Sequence, residues 1–226
     1  MRQAEPPDHT GTRGRAASRR GRGASADIEL HALVLAAGAA SRFGGLKQLV
    51  TLEGRPLLCG ITERATEVAD RTWVVLGARA AEIAPVLAEY PVSVLVNPLW
   101  SEGLASSIRT GIAHLPPSCG AVLLLLADQA RVCGEDLRRL ASTWRRRSQG
   151  IAAAQHGTVV GVPAIFPRVL FAELSQLTGD VGARGLIARH ASQVTTVPMP
   201  NAAFDLDTPA DLASLRDGTG PEGHSR

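Results

Sequence analysis

Short apolar runs alternate with segments of helical spacing along most of this chain. The helical segments have apolar residues three and four positions apart and lie at about 56–69, 80–89, 104–114 and 134–146. The apolar runs have the length of strands and lie at 31–36, 72–77, 92–96, 121–127 and 151–155. Strands that alternate with helices predict right-handed crossovers and a mostly parallel central sheet with helices on both faces, which is a three-layer α/β/α fold.

The alternation changes after Ile151. His156-Gly157 is typical of a turn, and the apolar run that follows it, Val159–Phe166, is interrupted by Pro163. The pattern then predicts a helix, a strand and a short final helix, and these lie at about 181–190, near 193–198 and after 204–211.

The two ends of the chain differ in composition from the rest. Residues 1–27 are rich in Arg, Gly, Ser, Ala and Pro, so we expect a disordered tail that buries little apolar area. Residues 218–226 predict a second flexible end. The segment between them, 28–217, has the length of one domain.

Charge and cysteine content narrow the partners and the compartment. The net charge is +3, but six arginines lie in the first 26 residues, so the rest of the chain is near neutral and gives no indication of nucleic-acid binding. No apolar stretch reaches the ~20 residues of a membrane span. The three cysteines are isolated and have no metal-ligand spacing. We therefore expect a cytoplasmic protein that binds neither nucleic acid nor membrane.

A glycine-rich loop follows the first predicted strand. Residues 33–47 read LVLAAGAASRFGGLK and contain three glycines, Arg42 and Lys47. Small residues let backbone N–H groups approach a bulky anion, and the two cations offset phosphate charge. The loop therefore predicts a triphosphate cradle, although a strand followed by an ordinary surface loop has the same local pattern. The absence of Gly-x-Gly-x-x-Gly and of a Gly-Lys-Ser/Thr ending disfavours a dinucleotide-binding dehydrogenase and a P-loop ATPase.

Acidic residues follow later extended segments. Asp128 comes directly after the apolar run 121–127, and ligands of open α/β sheets bind beyond the carboxyl ends of the strands. Asp205 and Asp207 alternate along an extended segment, which places both carboxylates on one side. Because Mg²⁺ takes one or two carboxylates plus substrate phosphates, these acids are candidate Mg²⁺ ligands. The alternative at 128 is a helix cap or a solvated acid. Asp207, before Thr208-Pro209, also suits a helix start as a capping acid, and both interpretations can hold together, with one acid capping and the other binding the metal.

Two further segments have the composition of ligand-binding loops. Gly103 lets a planar ring approach the backbone, and Ser106 and Ser107 can hydrogen-bond to a nucleobase edge, although the same residues also suit an ordinary helix start. In a later turn, Asp180 either caps a helix or belongs to a second-substrate site. Arg184 either meets an anionic second substrate or pairs with Asp180 at the surface.

Together these segments resemble the MobA-like nucleotidyltransferases, and within them the molybdenum cofactor cytidylyltransferase group. The opening signature Leu-Ala-Ala-Gly-x-Ser-x-Arg-Met/Phe-Gly-x-x-Lys is matched at Leu35–Lys47, and an apolar strand ending in Asp-Gln-Pro is matched at Leu126–Gln129. The other matched segments are Asn97–Ser107, Gly161–Phe166, Gly179–Arg184 and Asp205–Asp211. The similarity runs from about 31 to 215. The chain has Ala40 where serine is usual and Ala130 where proline is usual, and both changes affect loop shape rather than charge.

The resemblance implies a Rossmann-like nucleotidyltransferase fold and transfer of CMP from CTP to a molybdopterin-type cofactor, with release of pyrophosphate. It also implies Mg²⁺ held by Asp128 with one or both of Asp205 and Asp207, and a transient contact with a molybdenum hydroxylase. Arg42, Lys47 and Asp128 are then the catalytic residues, and Asp180 and Arg184 meet the second substrate. The residues implied to bind the nucleotide are Leu35, Ala36, Ala37, Gly38, Arg42, Lys47, Asn97, Gly103, Ser106 and Ser107.

Three alternative functions remain open at this point. The first is a member of the same group that uses GTP or a different acceptor. The second is an oxidoreductase, which needs a nicotinamide or flavin site, and the chain has no dinucleotide fingerprint. The third is a non-catalytic accessory protein of a molybdenum hydroxylase.

Overall fold

The computed structural model describes residues 28–180 and 182–216. The strands in this part of the chain are Glu29–Ala36 (β1), Thr51–Leu52 (β2), Arg55–Pro56 (β3), Arg71–Leu76 (β4), Val92–Val96 (β5), Cys119–Leu126 (β6), Ile151–His156 (β7), Val159–Pro167 (β8) and Val194–Pro198 (β9). The α-helices are Leu57–Thr66 (α1), Ala80–Ile83 (α2), Leu104–His114 (α3), Gly134–Arg146 (α4), Phe171–Leu174 (α5), Arg184–Arg189 (α6) and Pro209–Arg216 (α7).

Seven of these strands form one sheet in the order β5-β4-β1-β6-β8-β7-β9. β1 pairs in parallel with β4 and β6, and the pairs β4–β5 and β7–β9 are parallel as well. β8 runs antiparallel to both of its neighbours, β6 and β7. The carboxyl ends of β1, β4 and β6 therefore lie side by side, and this is the side on which open α/β sheets bind ligands.

The central strand β1 contributes side chains to two apolar layers. Ala32 and Val34 pack in the layer that contains α1 and α4, whereas Leu33 and Leu35 pack in the layer that contains α3, α5 and α6. This division follows from the alternation of side chains along a strand. Each fully buried leucine contributes roughly 2 kcal/mol, so β1 is firmly held on both faces. The predicted three-layer α/β/α arrangement with a mostly parallel sheet is confirmed.

Most of the predicted elements are present, and apart from the helix predicted at 80–89 their ends differ from the predictions by at most three residues. The helix predicted at 80–89 is only partly right, because α2 ends at Ile83 and a 3-10 turn continues over Ala84–Leu87. Pro85 explains the change: proline cannot donate the backbone hydrogen bond that a continuing α-helix needs. The helix predicted at 181–190 is also shorter and begins at Arg184.

The interruption at Pro163 is a shift in strand pairing. Ala153 pairs with Ala164, but Ala154 pairs with Gly161, so two residues of β8 bulge out at the proline. Because proline has no N–H to donate to the ladder, a bulge is where it fits in a sheet.

The β2–β3 hairpin and the four-residue helix α5 were not predicted. The hairpin turns at Glu53 and Gly54, which both have positive φ. Residue 181 and the predicted tails at 1–27 and 218–226 lie outside the described residues. No helix of the described segments combines the length and the apolar character needed to cross a membrane.

Candidate functional site

The loop after β1 is held in place by the side chain of Gln48. Its Nε2 donates hydrogen bonds to the carbonyl oxygens of Ala36 (3.2 Å) and Gly38 (3.0 Å), and the residue is 2% exposed. Gln48 was not among the predicted site residues, and its position next to Lys47 was the one signal for it in the sequence. Its hydrogen bonds fix the backbone at the end of the central strand.

The curvature of this loop comes from Ala40 and Gly44, whose φ values are 52° and 74°. An alanine in the left-handed region is uncommon. Gly38 has a different role, because among the described residues other than Gly38 and its two chain neighbours no heavy atom lies within 4 Å of the position that a Cβ would take. The backbone at Gly38 is therefore open to close approach by a ligand.

Lys47 lies between two carboxylates. Its Nζ is 2.8 Å from Oδ2 of Asp128 and 3.0 Å from Oδ1 of Asp207, and its side chain is 13% exposed. Arg42 approaches the other oxygen of Asp207 at 3.5 Å. Burial alone would lower the pKa of Lys47, but the charges and hydrogen bonds of Asp128 and Asp207 outweigh it and raise this pKa. The structure thus brings the two predicted loop cations together with two of the predicted acids.

The capping box at the start of α7 explains why Asp207 is available to these cations. Thr208 Oγ1 accepts a hydrogen bond from the Asp211 N–H (3.3 Å), and Asp211 Oδ2 accepts from the N–H groups of Thr208 (2.7 Å) and Asp207 (3.0 Å). The interpretation of Asp207 as the capping acid is therefore wrong, because Asp211 has that role. The Leu206 N–H donates to the carbonyl of Asp128 at 2.9 Å and ties this segment to the end of β6.

The carboxylates of Asp128 and Asp205 are not fully compensated by the hydrogen-bond donors and cations around them. Oδ1 of Asp128 is buried and has no hydrogen-bond partner among the described residues. A buried carboxylate oxygen without a donor is unfavourable, and a hard cation would satisfy it. Desolvation and the negative charges of Asp128 and Asp207 raise the pKa of Asp205 to about 6, although Lys47 and Arg184 act in the opposite direction. This excess of negative charge fits an additional cation.

The donor set is suited to a metal that shares its ligands with a substrate. Within residues 28–180 and 182–216, no group of three His, Cys, Asp or Glu side chains is arranged to hold a metal ion by itself. Mg²⁺ characteristically uses one or two carboxylates and completes its octahedron with phosphates and water. The residues present therefore fit a divalent cation that arrives with a phosphorylated ligand.

A cavity of about 380 Å³ joins these groups at the carboxyl ends of β1 and β6. The cavity includes predicted residues from every segment of the resemblance except Gly161–Phe166. Trp100 and Leu104 also line it, and neither was predicted. The predicted residues in its lining are Leu35, Ala36, Ala37, Gly38, Arg42, Lys47, Gly103, Ser107, Asp128, Asp180 and Asp207.

Two predicted nucleotide ligands, Asn97 and Ser106, are not in this lining. Asn97 is 1% exposed, and its Nδ2 donates to the hydroxyl oxygens of Ser106 (2.8 Å) and Ser107 (3.1 Å). Its Oδ1 accepts from the Leu99 N–H at 2.9 Å. The structure therefore places Asn97 behind the cavity wall, where it holds the start of α3 against the end of β5.

A second cavity of about 350 Å³ adjoins the first. Leu35, Leu104, Leu126 and Asp180 line both cavities. The polar and charged groups that line the second cavity and not the first are Gln129, His156, Arg184 and Asp205. Asp205 thus lines the second cavity, whereas the other two predicted metal ligands, Asp128 and Asp207, line the first.

One alternative predicted that Asp180 caps the helix that follows it, and this is wrong. The next helix, α6, begins at Arg184, and Oδ1 of Asp180 accepts a hydrogen bond from the Leu104 N–H at 3.1 Å. The carboxylate therefore meets the first turn of α3, which is 76 positions earlier in the chain.

The family model of the MobA-like NTP transferase domain matches residues 32–194. The chain belongs to this family. Its fold is that of a MobA-like nucleotidyltransferase, and the chain is an enzyme of the nucleotidyltransferase class.

The curated relatives of this MobA-like chain are named for two different nucleotidyl groups, guanylyl and cytidylyl. A molybdenum cofactor guanylyltransferase of Cereibacter sphaeroides is 30% identical over 82% of this chain and 95% of its own length. A probable molybdenum cofactor guanylyltransferase of Nostoc sp. is 27% identical over 83% and 90%. The molybdenum cofactor cytidylyltransferase of Escherichia coli K12 is 20% identical over 82% and 94%.

Solved structures agree with this fold. Rv0371c from Mycobacterium tuberculosis H37Rv superposes with a TM-score of 0.70 at 28% identity, covering 84% of this chain and 98% of its own. A second structure of the same protein, described as a complex with manganese, gives a TM-score of 0.70 at 27% identity and covers 84% and 100%.

Proposed function

We propose that this MobA-like enzyme transfers CMP from CTP to a phosphate of a molybdopterin-type cofactor and releases pyrophosphate. The observation that carries the proposal is the position of Lys47, whose Nζ lies within hydrogen-bond distance of both Asp128 and Asp207 inside the glycine-loop cavity. Cations and carboxylates in one cleft suit a triphosphate that is bound together with a divalent metal. The names of the curated relatives support the acceptor.

The triphosphate is held by the loop after β1. The open backbone at Gly38 lets N–H groups approach phosphate oxygens, and Gln48 keeps that backbone in one conformation. Arg42 offers a planar fork and Lys47 a compact charge, so the two cations offset the triphosphate charge in different ways. Because the side chain of Arg42 is 80% exposed, it can reorient towards a ligand without losing buried contacts.

Asp128 and Asp207 would hold Mg²⁺, with Asp205 next to them at the second cavity. The buried, unpartnered Oδ1 of Asp128 supports this assignment, as does the manganese complex of a related structure. When bound there, the metal would supply positive charge that stabilises negative charge developing on the phosphate groups.

The transfer itself requires position and charge rather than a side-chain nucleophile. An oxygen of the acceptor phosphate attacks the α-phosphorus of CTP in line, a new P–O bond forms, and the bond to the leaving pyrophosphate breaks. Lys47 and Arg42 offset the charge on the pyrophosphate as it leaves. Arg184, in the adjoining cavity, attracts the anionic acceptor.

The most specific part of the proposal is the base of the nucleotide, cytosine or guanine. The Glu-Gly-Leu-x-Ser-Ser, Gly-Asp-x-Gly-Ala-Arg and Asp-x-Asp-Thr-Pro segments resemble the cytidylyltransferase group and favour CTP. GTP is the second candidate, because two of the three relatives named above are guanylyltransferases. Delivery of the product to a molybdenum hydroxylase belongs to the same proposal and rests on the resemblance.

A turnover assay tests the reaction and the base together. Purified enzyme, Mg²⁺ and the pterin acceptor are incubated with each triphosphate in turn, and pyrophosphate release is measured. We expect release with CTP to exceed release with GTP, ATP or UTP. Preferential use of GTP would contradict the choice of base. If none of the triphosphates gave pyrophosphate release, that result would contradict catalysis and favour the accessory-protein alternative. A thermal shift with NAD(P)H alone would favour the oxidoreductase.

Lys47 is the only lysine of the chain, which allows a direct test of the nucleotide site. An amine-acetylating reagent then has two kinds of target, Lys47 and the α-amino group of the expressed chain. We expect CTP with Mg²⁺ to slow acetylation of Lys47, measured by peptide mass spectrometry, and to leave the α-amino group unaffected. If no triphosphate changed the acetylation rate of Lys47, that result would contradict the proposed triphosphate cradle.

A further inference from the structure

The first turn of α3 receives its cap from a distant loop. The residue before the helix is Gly103, which has no side chain with which to cap it. The Leu104 N–H donates instead to Oδ1 of Asp180 at 3.1 Å, and the Ala105 N–H donates to the carbonyl of Gly179 at 3.1 Å. The first two otherwise unpaired N–H groups of the helix are therefore satisfied by one short segment of another loop.

Glycines on both sides let these two segments come together. A Cβ on Gly103 would lie 2.9 Å from the carbonyl oxygen of Gly179 and 3.1 Å from Cα of Asp180. A Cβ on Gly182 would lie 2.8 Å from Cδ2 of Leu104. Both glycines also have positive φ, at 98° and 59°. The contact is thus closely packed and leaves no room for side chains at Gly103 and Gly182.

This contact forms part of the wall between the two cavities. Gly103, Leu104 and Ser107 line the glycine-loop cavity, which is called the nucleotide cavity below because the triphosphate is proposed to bind there. Asp180 and Leu104 line both this cavity and the second one. Arg184 lies four residues after Asp180 and lines the second cavity. Oδ1 of Asp180 is already engaged by the Leu104 N–H, so this carboxylate oxygen is committed to the start of α3.

We propose that Asp180 is a positioning residue for the nucleotide and not a ligand of the second substrate. It holds the first turn of α3 so that Leu104 and Ser107 keep their places in the nucleotide cavity. The inference rests on the proposed function only in that a nucleoside triphosphate binds in this cavity. It differs from the expectation drawn from the sequence, in which Asp180 meets the acceptor.

The test compares Asp180→Ala with Asp180→Asn by isothermal titration with CTP and Mg²⁺, in the absence of acceptor. The alanine variant loses the cap, and we expect its Kd to rise roughly two- to fivefold, the factor that corresponds to the typical effect of removing a helix cap. Asparagine retains an oxygen that accepts from the Leu104 N–H, so we expect its Kd to stay near the wild-type value.

Steady-state kinetics with the acceptor separate the two roles of Asp180. A direct ligand of the acceptor would leave the Kd for CTP unchanged in both variants and raise the KM for the acceptor, and that result would overturn the inference. If Asp180→Ala does not fold, Asp180→Glu replaces it, because glutamate keeps the charge but changes the reach. A normal Kd for CTP in Asp180→Glu would then contradict positioning by the cap.

Asp70→Ala is the matched control. Asp70 Oδ2 accepts the Leu30 N–H at 2.8 Å at the opposite end of β1, so its removal breaks the same kind of bond far from the cavity. We expect this control to lose stability and keep the wild-type Kd. Failure of the wild-type enzyme to bind any triphosphate would defeat the proposed function, whereas wild-type binding that Asp180→Ala does not alter would defeat this inference alone.

Discussion

Lys47 and Asp128 are 81 positions apart in the chain, yet Lys47 Nζ lies 2.8 Å from Asp128 Oδ2. The lysine comes from the loop after β1 and the aspartate from the end of β6, and these two strands are neighbours in the sheet. Asp207 joins them from the start of α7 at 3.0 Å. One cation is thus shared between two acids, and Oδ1 of Asp128 still has no partner among the described residues.

Replacement of Lys47 by alanine should abolish most nucleotidyl transfer and leave the fold intact. The substitution removes a positive charge from the triphosphate site, and electrostatic contributions of this kind are worth on the order of a hundredfold in kcat. Circular dichroism checks the fold, and Lys47→Arg serves as the matched variant because it keeps the charge on a larger, planar group. Unfolding of Lys47→Ala, or turnover equal to the wild type, would contradict the assignment.

Asp128→Asn should eliminate metal-dependent turnover and change the reactivity of Lys47. Removal of the negative charge at 128 takes away a cause that raises the pKa of Lys47, so this pKa falls and more free amine is present at a given pH. We therefore expect faster acetylation of Lys47 in the variant, with the α-amino group as the internal reference. Near-normal turnover would remove Asp128 from the metal site, and an unchanged acetylation rate would contradict the charge coupling.

Gly77→Ala should destabilise the wall of the nucleotide cavity. A Cβ at this position would lie 2.5 Å from Cβ of Trp100 and 2.7 Å from the carbonyl oxygen of Ala37, so the backbone at Trp100 or the loop after β1 must move. We expect a loss of about 1–3 kcal/mol in the free energy of unfolding and weaker CTP binding.

Gly60→Ala is the matched substitution for this experiment. Gly60 lies inside α1, and a Cβ there would meet its nearest atom, on Arg64, at 3.6 Å, an ordinary contact. Alanine is the better helix former, so this variant should gain about 0.5–1 kcal/mol. Urea unfolding measures both variants, and equal stabilities would show that the crowding around Gly77 is relieved without cost.

Asp211 should give the fold a pH-dependent contribution to stability. Hydrogen bonds from the hydroxyl and N–H of Thr208, and from the N–H of Asp207, lower the pKa of Asp211 below its ordinary value of 3.8. A lowered carboxyl pKa stabilises the folded state above pH 3.8, and this contribution is lost as the pH falls through the lower folded-state value. Asp211→Ala should cost about 1 kcal/mol at pH 7, as for other helix caps, and the difference from wild type should shrink below pH 3.8. A difference that does not vary with pH in urea titrations would contradict the sign of this shift.

Local patterns determined most of the architecture. The runs of Leu, Val and Ala predicted the strands, and apolar spacing predicted α3 and α4 at 104–114 and 134–146, because both signals depend on neighbours within a few residues. The glycine loop and the strand-end acid at 128 were recognisable for the same reason: phosphate and metal chemistry restrict which residue types can follow a buried strand.

The tertiary structure decided which polar groups meet when they come from different elements, as Asn97 and Ser106 or Asp180 and Leu104 do. The sequence by itself did not indicate that Asp180 caps α3 or that Asn97 lies behind the cavity wall, whereas the capping box of Thr208 and Asp211 is a local pattern that the sequence analysis missed. Each of these polar groups can satisfy its hydrogen bonds in several ways, and only the packing of the strands and helices selects one. The sequence therefore determined which chemistry is present, and the fold determined which atoms meet.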